Sequence, residues 1–150
     1  MGSIEKRREA VYFMADKGFM DDETIAALIE AFHAEDQGLK TSALWGLINT
    51  ETFALDPLEV EALCRHAGDD RLSALAMVYL SNAYPERTAE ILRNGLKSLN
   101  PRQREYACDE IGDRRMAELK PALGELLDDP DGSVREAATA NLELLEAPSA

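Results

Sequence analysis

Four stretches of this chain fall into register at a constant spacing of 31 residues. They are GLKTSALWGLIN from Gly38 to Asn49, DDRLSALAMVYL from Asp69 to Leu80, NPRQREYACDEI from Asn100 to Ile111 and DGSVREAATANL from Asp131 to Leu142. A fixed period between about 20 and 50 residues marks a repeat architecture. Units this short cannot bury an apolar face alone, so neighbours must stack to make a continuous core. Segments with helical periodicity separate the copies, about Asp22 to His33, Asp56 to Ala67, Glu86 to Leu99 and Met116 to Asp128. Their starts carry helix-starting chemistry: Asp22 and Asp56 are cap-type residues, Pro57 suits a first turn, and Pro85 precedes the third segment. The connections hold Gly38, Gly68-Asp69-Asp70, Asn100-Pro101 and Asp129-Pro130-Asp131-Gly132, all turn vocabulary. No alternating apolar and polar pattern suggests a strand. The pattern predicts an all-α chain of helix pairs, with an extra first helix from about Ile4 to Lys17 and a polar tail from Ala147 to Ala150.

Within the repeated helix one stripe recurs at helical spacing. It is Val134, Ala137, Ala138, Leu142 and Leu145 in the last copy, and Tyr106, Ala107 and Ile111 one unit earlier. Leu72, Leu75, Ala76, Tyr79 and Leu80 follow, then Leu44, Trp45 and Ile48. Small residues at Ala76, Ala107 and Ala138 let adjacent helices approach closely; Trp45 departs from that rule.

The stretch LKPALGELLDDPDGSVREAATANLELL, Leu119 to Leu145, resembles a HEAT-like repeat of the PBS-lyase type: a first helix, an Asp-Pro turn, and a second helix with a Val-Arg-x-Ala-Ala core. The likeness is good in the unit ending at Ile111 and weakens toward the N-terminus, where Ser42 and Ser73 stand in place of Arg104 and Arg135. The resemblance covers nearly the whole chain as four to five helical hairpins. It implies a right-handed α-solenoid, one repeat domain spanning residues 1–150, with the second (B) helices lining a concave face. It does not imply one function, because the scaffold hosts adaptors, a few enzymes and nucleic-acid readers.

Composition narrows the classes further. Apolar residues are 45% of the 150 and charged residues 30%, which argues against disorder and for a single domain with a proper core. No apolar run approaches the ~20 residues of a membrane span, and no signal peptide opens the chain. Met1-Gly2-Ser3 has the look of a cloning scar; read as native, Lys6 spoils it as a myristoylation signal. Two cysteines, Cys64 and Cys108, imply no disulfide framework and suit a reducing cytoplasm. The net charge of −13, from 29 acidic and 16 basic residues, argues against nucleic acid and anionic membranes as partners. It would steer a basic protein toward the chain.

Motifs that could carry chemistry are weak. Glu30-Ala31-Phe32-His33 has the spacing of a di-iron half-site, but the second copy is missing and His66 follows Glu61 and Cys64 at the wrong spacing. A di-iron hydroxylase within the resembled family uses His-Glu pairs; here His33 and His66 are each followed by Ala. Two Cys and two His on separate helices make a poor metal set, and free helical cysteines are commonly small core residues. The acidic turn Asp128 to Gly132 lacks the alternating ligands and terminal Glu of a calcium loop, so it reads as a cap, with Asp131 near Arg135. Arg104 and Arg135 read as ladder contacts between neighbouring units. No nucleophile elbow, P-loop or dinucleotide fingerprint is present, and no Ser/His/acid set assembles. The sequence predicts no catalytic residues, no cofactor and no metal.

The stripe opposite the core stripe is the expected binding face. It holds Glu136, Thr139, Ala140 and Glu143 in the last unit, and Glu105, Cys108, Asp109 and Gly112 before it. Next come Ala74, Met77, Val78 and Ser81, then Leu39, Ala43, Gly46 and Leu47. The first helix adds Glu9, Tyr12, Phe13 and Asp16. Exposed, this stripe would form a groove with an apolar N-terminal half and an acidic C-terminal half. It would receive a protein or peptide with apolar anchors and basic residues. The expected binding residues are Tyr12, Phe13, Ala43, Leu47, Ala74, Met77, Val78, Glu105, Asp109, Glu136 and Glu143. The competing expectation is that the middle helices are covered on both faces. On either, the chain reads as a non-catalytic cytoplasmic adaptor, monomeric or weakly dimeric. The alternatives are an immunity-type inhibitor of a basic toxin and an accessory subunit resembling those of bilin lyases.

Overall fold

The structure is a computed structural model and describes residues 4–17, 21–66 and 70–147. Among the described residues the chain is all-helical, with no strand, and it divides into two compact units, Met1–Ala83 and Tyr84–Ala150.

The first unit holds α1 (Ile4–Lys17), α2 (Asp22–Phe32), α3 (Gln37–Asn49), α4 (Pro57–His66) and α5 (Asp70–Ala83). Its helices begin where short polar side chains can satisfy the first free amides. Asp21 accepts from the Thr24 amide at 2.8 Å and Asp36 from the Leu39 amide at 2.9 Å. Asp56 accepts from the Leu58 amide at 2.9 Å. Asp21 is therefore the cap of α2, one residue before the expected Asp22. α3 ends in a Schellman turn: the Thr52 amide reaches Leu47 O at 2.9 Å and the Glu51 amide reaches Ile48 O at 3.1 Å. Glu51 takes the left-handed φ of 53° that this turn needs.

α3 packs against α1, α2 and α5, and α5 packs against α3 and α4. Leu28, Leu39, Leu44, Leu47, Leu72 and Tyr79 form much of the core between them. Burying a leucine of this kind contributes roughly 2 kcal/mol. The Leu55 amide donates to the Tyr79 hydroxyl at 3.1 Å, which ties the segment before α4 onto α5.

The second unit holds α6 (Thr88–Gly95), α7 (Pro101–Asp113), α8 (Lys120–Gly124) and α9 (Gly132–Glu146), with 3-10 turns at Pro85–Arg87, Ala117–Leu119 and Glu125–Asp128. α7 packs on α6 and α9, and α9 also contacts α8 and the turn Glu125–Asp128. The span from Met116 to Asp128, expected as one helix, is broken into turn, helix and turn. Pro121 has no amide to donate, which confines it to a helix start. α7 closes with the same device as α3, the Met116 amide on Ile111 O at 3.0 Å and Arg115 at φ 56°.

Candidate interaction surface

The 31-residue register assigns four positions to the proposed binding stripe of each repeated helix, and their environments can be followed along the chain. In α3 the expected residues are Leu39, Ala43, Gly46 and Leu47, all buried. In α5 they are Ala74, Met77, Val78 and Ser81, again all buried. In α7 Cys108 and Gly112 are buried, Glu105 is half-buried and Asp109 is exposed. In α9 Glu136, Thr139, Ala140 and Glu143 are all exposed.

The apolar half of the expected groove is therefore core. Ala43, Leu47, Ala74, Met77 and Val78 lie inside the protein, with Val78 the most accessible of them at 8%. The reason in α3 is that the helix has neighbours on three sides, α1, α2 and α5, so two stripes are covered. α5 is buried at every residue from Leu72 to Ser81, as expected of a helix apolar around its whole circumference. The signal was present in the sequence, since LSALAMVYLS has no polar face to offer water. On α1 Phe13 is 54% exposed, while the Tyr12 side chain lies outside the described residues.

The acidic half does face solvent. On α7, Glu105, Asp109 and Asp113 follow at intervals of four residues, which sets them along one side of the helix. Glu105 pairs with Arg102 at 2.5 Å. Asp109 accepts from Asn141 Nδ2 of α9 at 2.9 Å and forms no ion pair among the described residues. Burial against α9 pushes the Asp109 carboxyl above its usual range; the Asn141 bond opposes this, and the Glu105 and Asp113 carboxylates add to it. Asn141 also donates to Ala137 O at 2.8 Å, so its amide is held in place. Beside it the backbone of Gly112 comes so close that a Cβ there would stand 1.9 Å from Asn141 Oδ1. Glycine is what permits this crossing.

The arginines of the register are structural. Arg104 grips Asp129 through Nε at 2.9 Å and Nη2 at 3.0 Å, and donates to Ser98 O at 2.8 Å. Burial raises the Asp129 carboxyl, but the Arg104 guanidinium and the Asp131 amide outweigh it and hold it below the usual range. Arg135 donates to Asp129 O at 2.6 Å, and Asp131 caps α9 through the Val134 amide at 3.1 Å. Arg8 of α1 reaches Asp36, the cap of α3, through Nε at 2.8 Å and through Nη2. That contact repeats the Arg104–Asp129 design and went unread in the sequence, although Arg8 aligns with Arg135. Ser73, where the arginine is missing, donates to Cys64 O at 2.8 Å instead.

The weak motifs resolve into local contacts. His33 places Nδ1 3.0 Å from Ile29 O and Nε2 3.0 Å from Glu59 Oε2, so its partner is Glu59 and not Glu30. An open depression of about 740 Å³ beside it is lined by Arg7, Glu30, His33, Ala34, Glu35 and Asp36. Cys108 is buried, and that burial, with Asp109, Asp129 and Glu105 nearby, pushes its thiol up to about 12. Among the described residues no group of three or more His, Cys, Asp or Glu is placed to hold a metal, and no helix is long and apolar enough to cross a membrane.

No family model and no curated protein matches the chain. Among solved structures it is similar to an engineered protein known from a crystal structure. That likeness has a TM-score of 0.51 at 17% sequence identity and covers 93% of this chain and 72% of the other. At that identity the likeness bears on the fold alone.

Proposed function

We propose that the chain is a non-catalytic protein-binding module of the HEAT-like solenoid type, and that its partner is a basic protein or peptide. The observation that carries this reading is the set of carboxylates on α7 and α9. Asp109, Glu136 and Glu143 face solvent without an ion pair among the described residues, and the Asp109 carboxyl is raised by its partial burial against α9 first and by the Glu105 and Asp113 carboxylates after that. A cation brought to this surface finds carboxylates with no counter-charge of their own, and the net charge of −13 draws such a partner in from a distance. Apolar anchoring by Leu47, Met77 or Val78 is not part of the reading, because those side chains are core.

The test is a titration with poly-L-lysine at low and at high salt, with the Asp109→Lys/Glu136→Lys variant beside the parent protein. Binding should weaken with salt, and the variant should lose at least tenfold in affinity at low salt. Equal affinity of variant and parent would contradict the reading.

A further inference from the structure

His33 closes α2 with a ring whose two nitrogens both face oxygen. Nδ1 lies 3.0 Å from Ile29 O, four residues back in the chain, and Nε2 lies 3.0 Å from Glu59 Oε2 of α4. A carbonyl only accepts, and so does an ionised carboxylate, whereas a neutral imidazole carries a single N–H. Both bonds therefore form together only on the imidazolium. The Phe32 ring stands edge-on to the imidazole, 5.2 Å between centroids, and supports that orientation. The other charged groups around the ring are Arg7 of α1, Glu30 of α2, and Glu35 and Asp36 of the connection to α3, which line one depression with it. Asp36 is already held by Arg8, and Lys40 of α3 donates to Phe32 O at 3.0 Å. Histidine is the side-chain type that changes charge between about pH 5 and 8.

Glu59 has a second partner available on its own helix. Asp56 accepts from the Leu58 amide through its side chain, and from the Glu59 and Val60 amides through its carbonyl. Asp56 is thus the cap of α4, and Glu59 stands at the third helical position. A glutamate there can turn back to the amide of the cap residue, the reciprocal bond of a capping box. With Glu59 engaged by His33, the Asp56 amide makes no hydrogen bond among the described residues.

We propose that Glu59 is a two-position switch set by the charge of His33. On the imidazolium it bridges α2, which packs on α1 and α3, to α4, which packs on α5. When the ring loses a proton, Nδ1 keeps its N–H on Ile29 O, which lies on the same helix and does not have to move. Nε2 then presents a lone pair to the carboxylate and the bridge breaks. Glu59 swings to the Asp56 amide, so α4 gains its capping bond as it loses its tie to α2.

The experiment titrates the ¹⁵N-labelled full chain from about pH 5 to pH 8, following backbone amides and histidine ring protons together. His66→Gln is the background, which leaves His33 as the one histidine. The Asp56 amide should move downfield as pH rises, with the same midpoint as the His33 ring protons. Glu59→Ala and His33→Gln, both at exposed residues and with folding checked by circular dichroism, should each abolish that movement. A cycle of these two variants, read by urea unfolding, should couple them by about two- to fivefold in the unfolding constant near pH 5 and leave them uncoupled near pH 8. An Asp56 amide that stays in place while His33 titrates would overturn the proposal. So would a movement that survives in His33→Gln, or coupling of equal size at both ends of the titration.

Discussion

Leu47 and Ala140 occupy the same register position, three periods of 31 residues apart, and meet opposite environments. Leu47 in α3 is fully buried, between neighbours on three sides; Ala140 in α9 is exposed. The sequence difference at this stripe, apolar in α3 and α5 and acidic in α7 and α9, is therefore a record of burial. A helix with neighbours on several sides fills its second stripe with apolar side chains. A helix with one open side places charge there.

The comparison breaks most visibly under a charge. Leu47→Glu should cost more than about 4 kcal/mol, since a carboxylate would be driven into the core without a partner. Ala140→Glu, the same residue at the equivalent position, should stay within about 0.5 kcal/mol of the parent. Urea unfolding followed by circular dichroism measures both. The double change Leu47→Glu with Val78→Glu, which would probe an exposed groove, should yield an unfolded first unit.

The two arginine contacts sharpen the comparison between units. Arg104→Ala should cost about 3 kcal/mol, because it leaves the buried Asp129 carboxylate and Ser98 O without their donor. Arg8→Ala should cost less, since the Arg8–Asp36 pair is more exposed. Both aspartates are held below the usual carboxylate range, Asp36 at about 2 through the hydrogen bond from Arg8 first and the Leu39 amide next. The sign follows from linkage: a depressed carboxyl stabilises the fold above its unfolded pKa, near 3.9. That contribution fades as pH falls toward the folded value, so acid titration of unfolding should separate each variant from the parent above pH ~4 and merge them near pH ~2.

At the α7–α9 crossing, Gly112→Ala should cost about 1–2 kcal/mol by overpacking against Asn141. Adding Asn141→Ala should recover part of that loss, which distinguishes the clash from a general effect of the substitution. The smallest effect concerns Asp109. Its carboxyl is raised, so the ionised form opposes the fold at neutral pH. Asp109→Asn should therefore be neutral or stabilising by up to about 0.5 kcal/mol at pH 7, with the gain shrinking as pH falls and Asp109 protonates.

The repeat register made the helices legible because each copy carries the same turn residues and the same core stripe. α1 from Ile4 to Lys17 and α4 from Pro57 are as the pattern predicts. The pattern misled where it treated a helix as having one buried side. Ala43, Leu47, Ala74, Met77 and Val78 looked like an interface because a stripe opposite a core stripe is solvated on a surface helix, and α3 and α5 are not surface helices. Length and the absence of a polar face in LSALAMVYLS were the available correction. The break near Pro121 was unread for a different reason: the apolar spacing continues through it while the backbone hydrogen bonds do not. The exposure of Asp109, Glu136 and Glu143 was legible, since charge without a buried counter-charge belongs outside, whereas Glu105 is half-buried and pairs with Arg102.

The account stands or falls on the gradient of burial along one register position, and cysteine labelling reads it directly. Ala43→Cys, Ala74→Cys, Glu105→Cys and Glu136→Cys, made singly with Cys64→Ser and Cys108→Ala, place one thiol at equivalent positions of α3, α5, α7 and α9. With an aromatic disulfide reagent at pH 8, the thiols at 43 and 74 should be protected until the protein unfolds, the one at 105 should react slowly, and the one at 136 should react as fast as a free peptide. Equal rates at all four, or fast labelling at 74 in the folded protein, would contradict the account and reopen the apolar stripe as a surface.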